Sequence, residues 1–253
     1  MRSTRVDTPF GTFEVYPAGA RAPRPASHYG DIAWPIGRTE FDRLGPLLQQ
    51  ISAHASKIKI TGDQLFRAST LRSLAWLGSS PLGLDLLRQL SATSHTVTIV
   101  SAGGSGNNAF VTGGGDDVTL HRVGKRLTPG RGADCTVTYD ADDWDPWRHA
   151  DVREPWMSVP PPIHLVHELI HAYQITHGTV PPQAPAPVTK GPVEITERHG
   201  PDELRTVGIM GYEAEHFTEN RFRQAFGLPL RPTYNDVTDD DPTPRPERRP
   251  AHS

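Results

Sequence analysis

Apolar positions along the chain fall into blocks of two different periods. Phe41, Leu44, Leu47, Leu48 and Ile51 are three and four apart, which predicts an amphipathic helix over 40–54. Ile58 and Ile60 alternate with lysines and predict a short strand. Leu71, Leu74 and Leu77, then Leu82, Leu84, Leu86, Leu87 and Leu90, are split by Gly78-Ser79-Ser80-Pro81. That break predicts two helices joined by a turn within 65–92. Alternating β-branched runs at 95–101, about 118–123 and 134–140 predict three strands. A last stripe (Ile163, Val166, Leu169, Ile170, Tyr173) predicts a helix that starts at Pro160-Pro161-Pro162 and stops at Gly178, with Pro181 and Pro182 beyond. Helices and a small mixed sheet followed by a further helix make an α+β order.

The margins lack such patterning. Residues 1–38 hold Pro9, Pro17, Pro23, Pro25 and Pro35 among Gly, Ala and Arg, and are expected to be disordered. Residues 237–253, rich in Asp, Pro and Arg, read as a disordered tail. One domain is expected over 39–236. A net charge of −3 with scattered basic residues argues against nucleic acid as the partner. Cys135 is the single cysteine, so no internal disulfide forms and a reducing compartment is expected. No stretch approaches 18 apolar residues, which excludes a helical membrane span. The N-terminus lacks the apolar core of a cleavable secretory signal.

The last predicted helix carries His167-Glu168-Leu169-Ile170-His171, an HExxH pattern. With this composition about 0.02 such matches are expected by chance. Histidines four apart are about 40° from eclipsed, so both imidazoles reach one ion on one face. Glu168 lies roughly 100° round from His167, placed to touch water at the metal without being a ligand. The expectation is one catalytic zinc per chain, and such zinc usually takes three protein ligands.

For the third ligand the residues leave several candidates. His177 stands where a metzincin-type protease would have its third histidine, but Gln174 replaces the glycine that turns such a chain back. If the helix runs on, His177 faces about 240° away from His171. Glu203, in Pro201-Asp202-Glu203-Leu204-Arg205-Thr206, follows a helix-starting proline. Glu213, Glu215 and Glu219 form a third, acidic group.

His167–Gly178 resembles the zinc helix of clostridial neurotoxin light chains, and Glu203-Leu204-Arg205-Thr206 is similar to the helix that carries their zinc-binding Glu. Thr218-Glu219-Asn220, Arg223, Gly227, Arg231 and Tyr234 resemble more closely the NleD-like (XopG-like) effector metallopeptidases. The resemblance covers about residues 160–236. It implies a zincin-type endopeptidase with His167, His171 and Glu203 on zinc and Glu168 as general base. It also implies Arg231 and Tyr234 as donors to the oxyanion, with Glu219 behind a ligand or behind Arg231. As a family trait it further implies a type III-secreted virulence effector or toxin without a cleavable signal. Such a protein acts in the host cytoplasm on a host protein, with residues 1–38 as candidate secretion signal and chaperone-binding segment. The rival readings are a non-catalytic, zinc-stabilised interaction protein, an antibacterial toxin using another export route, and the metzincin arrangement with His177.

Overall fold

The computed structural model describes residues 2–23, 33–103, 107–112, 116–141, 155–156, 159–182 and 200–233. Among them the chain is mixed α and β, with small sheets and helices around one main apolar core.

Three strands come from the segment expected to be disordered. β1 (Thr4–Thr8) pairs antiparallel with β2 (Gly11–Tyr16), and β2 pairs parallel with β3 (Trp34–Gly37). Phe13 and Val15 on one face of β2, with Trp34 and Ile36 on β3, are buried. Phe13 meets the rings of Trp34 and Phe41 edge-on at 5.6 and 5.4 Å. The expectation failed because the alternation is only two inward residues long and Pro35 reads as a breaker. On an edge strand a proline costs no ladder bond from its open side. The tail expected over 237–253 lies outside the described residues.

Next come α1 (Arg38–Ser52), β4 (Ile58–Thr61), α2 (Gln64–Gly78) and α3 (Pro81–Ala92). Asp63 caps α2 by accepting from Phe66 N, and Ser80 caps α3 by accepting from Gly83 N, so the break at 78–81 is two helix ends back to back. β5 (Val97–Ser101), β6 (Asn108–Val111), the hairpin β7 (His121–Val123) and β8 (Arg126–Thr128), and β9 (Cys135–Tyr139) follow. The four-stranded sheet runs β4-β5-β9-β6, with the first three parallel and β6 antiparallel at the edge. Ile58, Ile60, Val97, Ile99, Cys135, Val137 and Tyr139 form its buried face. β6 emerges from a glycine-rich stretch in which no strand was expected.

α4 (Pro161–Thr176) lies against β9 and β6 and also touches α2, α3, α5 (Pro201–Val207) and α6 (Glu219–Phe226). It is buried on nearly every side, not along a single stripe. A helix so enclosed reads apolar all round, which makes every polar residue it carries conspicuous.

Candidate metal centre

The ends of α4 are set by local chemistry. Pro161 begins it, where a missing N–H costs nothing. At the far end Gly178 takes φ +63, its N–H bonds Ile175 O, and Thr179 N–H reaches back to Gln174 O. This is a Schellman motif, and only glycine fits it well. A Cβ there would also meet Gly130 O at 2.2 Å.

Within that frame His167 and His171 project from α4 toward Glu203 on α5. His167 Nε2 and His171 Nε2 each lie 3.1 Å from Glu203 Oε2 and 3.2 Å from each other. These residues form the one potential metal-holding group of three among the described residues. Their other nitrogens are engaged. His167 Nδ1 donates to Glu219 Oε2 at 2.8 Å, and His171 Nδ1 faces Thr206 Oγ1 at 3.3 Å. With the Nδ1 atoms protonated, each neutral imidazole presents only a lone pair at Nε2. Two nitrogen lone pairs and a carboxylate oxygen then converge, an arrangement that repels itself unless a cation sits among them. Donor atoms about 2.05 Å from zinc at tetrahedral angles are about 3.3 Å apart. The triangle of 3.1–3.2 Å therefore fits that ion in size as well as in chemistry.

The field at the site favours positive charge. Burial alone would push the His167 pKa down, but Glu203 and Glu219 outweigh it and lift it to about 10. Burial works to raise Glu203 and Glu219 too. His167 and His171 hold Glu203 well below the usual carboxylate range, and His167 with Arg223 and Arg231 does the same for Glu219. A potential that retains a proton so firmly at Nε2 equally attracts a metal cation.

Glu168 is buried and lines a cavity of about 270 Å³ with Asn107, Trp156, Val159, His167 and Arg231. Burial raises its pKa, opposed by the charges of His167 and His171. A larger groove of about 600 Å³ between α1 and α3 is lined by Arg43, Gln50, Asp85 and Arg88. It adjoins none of the metal-donor residues, so the smaller cavity is the one that matters chemically.

Glu219 lies at the first turn of α6, whose N-cap is Thr218. Arg231 Nη1 donates to Glu219 Oε2 at 3.3 Å, and its guanidinium stands 5.7 Å from the Trp156 ring. Asn220 clamps the Arg231 backbone in both directions, Nδ2 donating to O at 2.8 Å and Oδ1 accepting from N at 2.7 Å. Tyr234 lies outside the described residues. His177 is not part of the cluster: it ends α4, its Nδ1 2.9 Å from Tyr173 O. Glu213 contacts Gly211 N, and Glu215 pairs with Arg205.

Sequence reasoning missed Thr206, although Glu203-Leu204-Arg205-Thr206 was in view. It also missed what Gln174 does. Standing where a metzincin would have glycine, Gln174 donates to Thr206 Oγ1 at 3.0 Å, and Thr206 faces His171.

Two imidazoles and a carboxylate converge beside a buried glutamate on an α+β frame, a group that could hold a metal ion. The sequence profile of the peptidase M91 family, described as effector protein, matches residues 54–234, and the chain belongs to this family of NleD-like metallopeptidases. No curated protein and no solved structure matches the chain. No helix among the described residues is long and apolar enough to cross a membrane.

Proposed function

We propose that this protein is a zinc-dependent endopeptidase, a bacterial effector that cuts a host protein inside the host cell. The supporting observation is the 3.1–3.2 Å triangle of His167 Nε2, His171 Nε2 and Glu203 Oε2, with both Nδ1 atoms engaged and Glu168 in the adjoining cavity. His167, His171 and Glu203 would hold one zinc ion per chain in a zincin-type site on the HExxH helix. When bound, the ion acts as a Lewis acid and makes water acidic enough to ionise near neutrality.

The protein's residues divide the remaining work. Glu168 accepts the proton of the attacking water and returns it to the departing amine; its raised pKa suits a group that must do both near neutral pH. Glu219 fixes the His167 ring through Nδ1, which keeps the Nε2 lone pair aimed inward. Arg231, with Tyr234, supplies donors for the charge that develops on the carbonyl oxygen, help typically worth about 3–4 kcal/mol of barrier.

The host substrate and delivery without a cleaved signal rest on the effector family. We place the export signal and any chaperone contact in residues 1–38, read before β1–β3 fold. A purely structural zinc site would need no carboxylate like Glu168 beside an open cavity. The test compares wild type with Glu168→Gln by mapping new protein N-termini in host-cell extract. New cleavage sites made by the wild type and reduced at least about 100-fold by the substitution are expected. Identical maps would refute the hydrolase reading.

A further inference from the structure

Beyond its charge on Glu219, Arg223 has no role assigned above, yet it is one of the most deeply buried charges described, 3% exposed on α6. Burying a guanidinium is costly unless its donors are matched by acceptors. Here they are. Nε donates to Glu219 Oε1 at 2.6 Å, one helical turn back, while Nη1 donates to Trp156 O at 2.7 Å and Pro229 O at 3.1 Å.

Each of these three partners leads to the site. Glu219 uses one oxygen for Arg223 and the other for His167 Nδ1 and Arg231 Nη1. Trp156 precedes α4, lines the cavity beside Glu168 and faces the Arg231 guanidinium. Pro229 lies two residues before Arg231. An ordinary buried ion pair would need only Glu219. Two further backbone carbonyls from separate segments suit a planar fork whose donors are spread over separate nitrogens, whereas an ammonium gathers its three donors on one atom.

We propose that Arg223 is the positioning residue of this site. Its guanidinium decides which Glu219 oxygen faces His167, and it pins the Trp156 and Pro229 segments so that imidazole, cavity wall and Arg231 form one rigid unit. This rests on the metal-site reading, so the probe is zinc itself, read by chelator competition on the full chain.

Arg223→Gln is expected to weaken zinc binding 10–100-fold, the usual effect of removing a group that orients a ligand. Arg223→Lys should recover only a minor part of that loss. In a Glu219→Gln background the same Arg223→Gln change should cost less than about threefold, because residues acting through one another are not additive. A folded Arg223→Gln protein whose zinc affinity stays within about threefold of wild type overturns the proposal. So does a loss of equal size in both backgrounds, which would mean that Arg223 acts without Glu219. Should Arg223→Gln fail to fold, Arg223→Lys carries the test: its cobalt(II) absorption bands must shift, and an unchanged spectrum with unchanged zinc affinity refutes the role. A wild type that holds no stoichiometric zinc sinks the metal-site reading itself; a zinc-loaded wild type indifferent to Arg223 sinks only the positioning role.

Discussion

At the scale of single residues, His167 is pulled in two directions. In chelated protein its pKa rises from 6.5 to about 10, because two carboxylates outweigh the cost of burial. The folded state therefore binds this proton more tightly than the unfolded chain does. That stabilisation is complete below about pH 6.5 and is lost as pH climbs toward 10. The melting temperature of chelated protein should fall by more than about 3 °C over that interval, the effect of ~1 kcal/mol in a domain of this size. Glu203→Ala should flatten the fall and abolish stoichiometric zinc. Equal slopes with and without Glu203 would show that it does not hold the His167 proton, and full zinc retention would show that the carboxylate is not at the ion. The HExxH residues were legible because helical spacing alone puts both imidazoles on one face. Thr206 was not, nor were the Arg223 contacts to Trp156 and Pro229, since these come from tertiary docking; only the Arg223–Glu219 pair, four apart on α6, follows a local spacing.

Among the elements, α4 shows how a helix end can be fixed from two sides. Gly178 needs its left-handed φ for the Schellman turn, and it also lets Gly130 N–H reach Gly178 O at 2.9 Å. Gly178→Ala adds both conformational strain and a backbone clash, so a loss of about 2–3 kcal/mol is expected in urea unfolding. A loss under ~0.5 kcal/mol would mean that the contact relaxes freely. The helices and the parallel strands β4, β5 and β9 could be read from the sequence because their apolar periods run long enough to stand out. β6 could not: four residues beside glycines acquire strand identity only by pairing with β9. Nor could β1–β3, whose inward positions become apolar faces only once α1 packs on them.

For the whole molecule, the family match begins at residue 54, yet the fold does not. Trp34, Phe13 and Ile36 join α1 in the main core, and Trp34 is 1% exposed. Trp34→Ala should cost about 3–5 kcal/mol of stability, read as a lowered unfolding midpoint. The folded fraction should still bind zinc within about threefold of wild type, because sheet β1–β3 supplies no ligand. Zinc binding lost in protein that remains folded would mean that the N-terminal sheet reaches the centre after all. Glu203, the proposed third ligand, by contrast rides on a seven-residue helix with a small apolar cluster of its own, Leu204, Val207 and Ile209. Two clasping groups thus belong to the body and one to a part that must dock against it. Under the proposed function, capture of the ion and the last act of folding would be a single event, and a chain exported unfolded would arrive unarmed.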